Sequence, residues 1–179
     1  VEVQPDDATW TAGDIRYNTI RWTSSPNPPF GGYGPSMPNP RTGEIIGADI
    51  MLEFVHFTNR VFYNKLVGDA SKNMSLDDEE NIHEENMYCS MGHLMHENLL
   101  LGKTFLDVMD ASDYDLDRIE KEGLKSLIMH EVGHTLGLNH NMKASQLFSP
   151  QELYDASFIE GKALTGSVMD YAGINLTKD

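Results

Sequence analysis

The chain has 179 residues, of which 28 are Asp or Glu and 13 are Lys or Arg, so its formal charge is −15. This length fits one domain with a buried core. The acidic surplus argues against a nucleic-acid backbone or an anionic membrane surface as partner, because phosphates would be repelled. No apolar run reaches the roughly 20 residues that insertion into a membrane requires. A single cysteine excludes an internal disulfide.

The first part of the chain contains most of the prolines and the strand-like segments. Val1–Val3 and Asp14–Trp22 are rich in β-branched and aromatic residues, which predicts a strand in each. Residues 31–38 and 44–54 are extended runs on either side of a Pro/Gly connector, which predicts a β-hairpin. Its first arm is rich in Gly and Pro, so we expect it to be an edge strand.

Helical patterns dominate beyond residue 50. Thr58 could cap a short helix that ends near Val67, and six carboxylates between Asp77 and Glu85 predict an exposed stretch. The apolar residues of Met87–Met109 recur at helical spacing, which predicts a long helix.

A second long helix follows. Asp117 and Glu120 have the spacing of a capping box, so we expect the helix to begin there and to run to about Leu136. Strands and helices are mixed but segregated along the chain. The predicted fold class is therefore α+β, with helices packed on a small sheet.

The sequence H-E-V-G-H-T-L-G-L-N-H at residues 130–140 carries the clearest chemistry. A spacing of four places His130 and His134 on one helix face, so both imidazoles can reach one ion. Glu131 is turned off that axis and can act on a bound water without being a ligand. Gly137 accepts left-handed backbone angles, which lets the helix end and the chain return with His140 as a third ligand. Three histidines and one water form the open site of a catalytic zinc.

The motif resembles that of the metzincin zinc peptidases. That clan also has a methionine-containing turn beneath the metal, and S-V-M-D-Y at residues 167–171 is similar to it. The resemblance implies that Met169 forms an apolar floor under the imidazoles. It also implies that Tyr171 ligates zinc or stabilises the oxyanion, as the equivalent tyrosine does in the astacin-like and serralysin-like branches.

Further segments are similar to the catalytic core of a family of large bacterial zinc-dependent metalloproteases; they are R-Y-N-T-I-R-W, G-Y-G-P-S-M-P-N-P-R-T-G-E-I, S-P-Q-E-L and G-S-V-M-D-Y. This resemblance implies a secreted, periplasmic or cell-surface setting. It also makes residues 31–37 the antiparallel edge strand beside the cleft, where a polypeptide substrate would pair as an added strand. The residues expected to bind substrate are Gly32, Tyr33, Gly34, Pro35 and Ser36.

On the metzincin plan, Val1–Val3 corresponds to the second strand of the domain, and the first strand, the first helix and the terminal helix fall outside the 179 residues. The expectation is a single metallopeptidase catalytic domain over residues 1–179, excerpted from a larger protein. Nothing in the pattern indicates an oligomeric state.

The predicted function is that of a zinc-dependent endopeptidase with one catalytic Zn²⁺. A metal-activated water would attack the peptide bond, with Glu131 as the general base. Two alternatives stay open. One is a catalytically silent, metzincin-shaped module for peptide binding or adhesion, against which the intact Glu131 argues. The other is a zinc amidase that acts on cell-wall peptides, against which the edge strand argues.

Other groups with metal-ligand spacing carry less weight. Cys89, His93 and His96 could form a second transition-metal site, but packed helix residues are favoured because no fourth ligand is near in sequence. Cys89 as an inhibitory zinc thiolate is disfavoured, since such cysteines belong to propeptides. A Ca²⁺ loop lacks its glycine and terminal glutamate, so a helix-capping turn is favoured for Asp110, Asp113, Asp115 and Asp117.

Overall fold

A computed structural model of the chain describes residues 1–25, 30–54, 89–109 and 113–175. The predicted helix between Thr58 and Val67, the carboxylates of Asp77–Glu85, and Asp110 lie outside these residues. Among the described residues, neither of the two long helices is apolar enough over a sufficient length to cross a membrane.

The sheet is small and mixed, and a long strand lies at its centre. Strand β1 (Thr19–Thr23) pairs in parallel with one side of β4 (Ile45–Glu53). Strands β2 (Gly32–Tyr33) and β3 (Ser36–Pro38) pair antiparallel with the same central strand. Their register is continuous, because Gly32 pairs with Leu52 and Ser36 with Ala48, until it shifts between Met37 and Pro38. The predicted hairpin with an antiparallel edge strand is therefore present.

Two of the predicted strands differ from the structure. Val1–Val3 is not a strand, and Val3 is 93% exposed, so the second strand of the metzincin plan does not lie there. In the predicted strand Asp14–Trp22, regular structure begins only at Thr19. Asp14 forms a turn instead: its Oδ1 accepts a hydrogen bond from the Arg16 amide at 3.1 Å. Local side-chain bonding of this kind competes with strand pairing.

Two long helices follow the sheet. Helix α1 is Met91–Val108 and helix α2 is Asp113–Thr135. The predicted capping box was wrong, because Asp117 lies inside α2, where its carboxylate accepts a hydrogen bond from Lys121 at 2.6 Å. Glu120 forms an ion pair with Lys103 of α1. Both carboxylates therefore form helix-surface ion pairs and not a helix cap.

Shorter elements complete the described chain. A 3₁₀ segment at Met142–Gln146 is followed by α3 (Pro150–Leu153) and α4 (Ala156–Ile159). Helix α3 begins at Ser149 with a capping box to Glu152. The architecture is α+β, as predicted.

The core lies between the central strand and the two long helices. In strand β4, Ile50 and Leu52 are buried on either side of the half-buried Met51, and both belong to a cluster with apolar side chains from α1 and α2. Alternate residues of a strand face the same side, which explains this pattern. The buried cluster consists of Ile50, Leu52, Cys89, Met91, Met95, Leu99 and Leu127.

A pair of glycines brings the start of α1 close to the edge strand. A Cβ added to Gly31 would overlap main-chain atoms of Gly92, and a Cβ added to Gly92 would overlap those of Gly31. Only glycine permits such an approach of two backbones. The residues just before α1, Cys89 and Ser90, are thereby held near the C-terminal half of α2.

Candidate metal centre

Helix α2 ends in a Schellman motif that returns the chain toward the helix. The Leu138 amide donates to the Gly133 carbonyl at 3.0 Å, and the Gly137 amide donates to the His134 carbonyl at 2.9 Å. Gly137 has φ of 84°, a left-handed conformation that disfavours any residue with a Cβ. This turn carries His140 back to the imidazoles of the helix, as the motif predicted.

The three histidines of the motif converge. The Nε2 atoms of His134 and His140 are 3.0 Å apart. The ring centroid of His130 lies 4.8 Å from that of His134 and 5.2 Å from that of His140. His130 is fully buried, whereas His134 and His140 line the more open side of the site.

Main-chain carbonyls fix the orientation of two of these rings. His130 Nδ1 lies 2.7 Å from the carbonyl oxygen of Val168, and His134 Nδ1 lies 3.0 Å from that of Leu138. A carbonyl oxygen only accepts, so in the neutral rings Nδ1 carries the proton. The lone pair of each Nε2 is then free to bind a metal, an arrangement typical of metal-binding histidines.

Met169 is buried against helix α2 at Gly133, one position before His134. Its side chain is 2% exposed, and a Cβ added to Gly133 of α2 would overlap its sulfur. The Asn141 amide donates to the Met169 carbonyl at 2.9 Å, which ties the segment after His140 to the same turn. Gly133 is a supporting residue that spacing alone did not single out.

The environment favours the neutral form of two candidate ligands, His130 and His140. Burial lowers the pKa of His130 to about 4, and the neighbouring imidazoles act in the same direction. Burial, followed by the neighbouring His134, also lowers the pKa of His140. Neutral imidazole is the form that binds a metal, so these two ligands are ready at neutral pH.

Glu131 is buried beside the histidines without a matched partner. The side chain is fully buried, and no hydrogen bond of good geometry reaches either carboxylate oxygen from the described residues. Burial raises the pKa of Glu131 to about 7, and the nearby Cys89 thiol and Gly34 amide act in the opposite direction. A buried, unpartnered carboxyl with a raised pKa is typical of a functional site.

The predicted substrate-binding segment lies directly against this carboxylate. A Cβ added to Gly32 would lie 2.7 Å from Glu131 Oε1, and one added to Gly34 would lie 2.6 Å from the Glu131 main-chain oxygen. The two glycines therefore let the edge strand lie against α2 at the candidate base. Of the other predicted residues, Tyr33 and Ser36 pair with β4, and the Pro35 carbonyl accepts from the Asp49 amide at 3.2 Å.

Tyr171 reaches the same site. Its hydroxyl lies 3.2 Å from His140 Nε2 and accepts a hydrogen bond from the Ser90 amide at 3.2 Å. Burial raises the pKa of Tyr171 to about 12, with the neighbouring Cys89 thiol as a further cause, so the phenol stays protonated at neutral pH.

Cys89, which was disfavoured from the sequence as a zinc thiolate, lies at the site. Its Sγ lies 3.3 Å from His130 Nε2 and 3.3 Å from the Tyr171 hydroxyl. Among the described residues, Cys89 therefore groups with the three motif histidines. Burial raises the pKa of Cys89 to about 11.

The donor set fits a zinc ion. One ligand atom from each of Cys89, His130, His134 and His140 lies within 4.8 Å of all the others. Tetrahedral zinc with bonds of about 2.0–2.3 Å requires separations of about 3.3–3.7 Å between its nitrogen and sulfur ligands. The observed separations of 3.0 Å and 3.3 Å are close to that requirement, so small side-chain adjustments would complete the geometry.

A comparison with known families agrees with this site. A family model described as Met-zincin matches residues 113–179, which include the three histidines, Glu131 and Met169. No curated protein and no solved structure matches the chain. The segment formed by residues 113–179 is therefore that of a metzincin-type family.

Proposed function

We propose that the chain is a zinc-dependent endopeptidase in which His130, His134 and His140 hold the metal and Glu131 is the general base. The observation that carries this proposal is the buried carboxylate of Glu131, which has no matched hydrogen-bond partner in the described structure and lies next to the first of three converging histidines. A purely structural metal site has no use for a base at this position.

Zinc bound by three imidazoles lowers the pKa of water to about 7 and polarises the carbonyl of an amide. Glu131 would take a proton from the attacking water and later deliver it to the nitrogen of the leaving amine. A pKa of about 7 in the metal-free protein suits a group that must accept and then release a proton near neutral pH.

The hydroxyl of Tyr171 is the candidate for stabilising negative charge on the carbonyl oxygen. It is protonated at neutral pH and lies beside His140, and the Ser90 amide holds it by donating to its oxygen. A fixed hydroxyl donor stabilises the negative charge that develops on the carbonyl oxygen in the transition state, and it stabilises the uncharged bound substrate much less. Tyr171 would therefore affect kcat more than KM.

The substrate class that the architecture favours is an extended polypeptide. The edge formed by β2 and β3 lies against Glu131, because Gly32 and Gly34 have no side chains to keep it away. A peptide added as a strand along this edge would be held by main-chain hydrogen bonds, with its scissile bond near the base. Residues Gly32 to Ser36 would then position the substrate for hydrolysis.

The test is cleavage of a mixed peptide library by protein of measured zinc content, before and after treatment with a chelator. We expect one zinc per chain, cleavage within extended peptides, loss of cleavage on chelation and recovery on addition of zinc. One zinc per chain without any cleavage, by the parent chain and by its Cys89→Ala variant alike, would overturn the proposal in favour of a binding module. Cleavage confined to cell-wall peptides would favour the amidase alternative.

A further inference from the structure

We propose that Cys89 is a fourth protein ligand of the metal and holds the site in a closed, resting state. The inference rests on the position of its sulfur, 3.3 Å from the Nε2 of His130 and within 4.8 Å of the ligand atoms of His134 and His140. The assignment as a ligand follows from geometry, whereas its consequence for hydrolysis rests on the proposed function.

The fold holds this sulfur in place from three sides. Cys89 is 7% exposed and belongs to the buried core cluster. The close approach of Gly31 and Gly92 holds the start of α1 against the edge strand. The next residue, Ser90, donates its amide to the Tyr171 hydroxyl at 3.2 Å. These contacts hold Cys89 at the site.

The chemistry of the donor set favours binding. Thiolate and imidazole are the ligands that zinc takes most often, and four of them make a closed tetrahedral site. An open site with three histidines leaves a position for water, whereas the fourth ligand Cys89 would fill that position. With four protein ligands we expect tight metal binding. We also expect suppressed hydrolysis, because no position is left for water.

Hydrolysis would require the release of Cys89. On release, the Cys89 sulfur would keep the electron pair of its bond to the metal and take up a proton from solvent, and the three histidines would continue to hold the metal. No oxidant or other co-reactant is needed for this exchange. Removal of the sulfur should therefore weaken metal binding and raise turnover at saturating zinc.

The chain contains one cysteine, which makes a spectroscopic test unambiguous. We would replace zinc by Co²⁺ in the full chain and record near-ultraviolet and visible absorption. If Cys89 is a ligand, the spectrum contains a sulfur-to-cobalt charge-transfer band besides the visible bands of tetrahedral cobalt. The charge-transfer band should be absent from Cys89→Ala and present in Tyr171→Phe and Met95→Leu.

Met95→Leu is the packing control, because Met95 is in the same buried cluster and the change preserves volume. Competition with a chelator should show zinc binding at least about 100-fold weaker in Cys89→Ala, since loss of a partner behind a ligand already costs 10–100-fold. Met95→Leu should bind zinc as the parent does. If Cys89→Ala does not fold, the spectrum of the parent decides alone.

Tetrahedral cobalt bands without a charge-transfer band in the parent chain would overturn the proposal, as would equal zinc affinity in Cys89→Ala. Failure of the proposed function has a different result: the charge-transfer band is present, yet neither the parent nor Cys89→Ala cleaves any peptide. Faster cleavage by Cys89→Ala than by the parent, each at saturating zinc, would support both proposals together.

Discussion

The Nδ1 of His130 lies 2.7 Å from the main-chain carbonyl oxygen of Val168, which joins helix α2 to the turn that contains Met169. This single contact sets the tautomer of a buried imidazole and directs its other nitrogen toward His134 and His140. It also means that the shape of the turn and the orientation of the ligand depend on each other. Substitutions that displace the turn should therefore weaken metal binding without removing a ligand.

Gly133→Ala tests this dependence. The new Cβ would overlap the sulfur of Met169, so the turn must shift or the side chain must leave its rotamer. Overpacking of this kind costs about 1–3 kcal/mol. We expect a lower free energy of unfolding and weaker zinc binding, measured by denaturant titration and chelator competition. Gly173→Ala is the matched control, because its Cβ would meet no atom within 4 Å. Equal zinc affinity in Gly133→Ala and the control would disprove the coupling.

Gly137→Ala tests the return of the chain to His140. A residue with a Cβ at a φ of 84° costs about 1–2 kcal/mol. Gly43→Ala is the control, because Gly43 has a similar φ of 75° and an added Cβ there would meet no atom within 4 Å. Gly43 lies in the connection between β3 and β4, outside the site. Both variants should be destabilised to a similar extent. Only Gly137→Ala should lose zinc affinity as well, and parallel zinc titrations decide whether it does.

Gly32→Ala tests the contact between the edge strand and the base. The added Cβ would lie 2.7 Å from Glu131 Oε1 and 3.0 Å from Leu127 Cδ1, so the carboxylate must move. Displacement of a reacting group by about 1 Å costs on the order of 100-fold in rate. We therefore expect a large loss of kcat/KM with zinc content unchanged. Gly13→Ala, with its nearest contact at 4.0 Å, is the control. Undiminished cleavage by Gly32→Ala would contradict the described packing.

Glu131→Gln should change how stability depends on pH in the metal-free protein. The pKa of Glu131 is about 7 in the folded chain, against an ordinary value of 4.5 for a glutamate in water. Burial of its charge therefore lowers the free energy of unfolding by about 3 kcal/mol above pH 7 and has no effect below pH 4.5, where the carboxyl is neutral in both states. The neutral amide avoids that cost. The variant should be more stable than the parent above pH 7, and this advantage should disappear as pH falls from 7 to 4.5. Denaturant titrations of both chelator-treated proteins at several pH values measure this difference in the free energy of unfolding. A difference that stays constant with pH would refute the explanation.

The part of the site that lies on helix α2 and at its C-terminal end could be predicted, because its geometry depends on residues close together in the chain. The spacing of His130 and His134 follows from the period of one helix, and Gly137 follows from the backbone conformation that ends it. The hairpin was predictable for a similar reason, since its two arms are adjacent in the chain.

A zinc ligand at Cys89 was disfavoured from the sequence, and no local pattern could have favoured it, because its neighbour His130 is 41 positions away. The packing of α1 on the edge strand brings the two residues together. Two local signals were also overridden. Asp14 forms a turn where strand propensity was high, and Asp117 pairs with Lys121 inside a helix where a cap pattern was present. In both cases a carboxylate had more than one favourable partner, and sequence alone does not rank them.

The most direct test of the central claim is peptide cleavage by Glu131→Gln, measured beside the parent chain with the zinc content of both determined. We expect one zinc per chain in each protein, because Glu131 is not among the proposed ligands, and a loss of nearly all turnover in the variant. Proteolysis by Glu131→Gln at the rate of the parent, with zinc bound in both, would contradict the role of Glu131 as the general base.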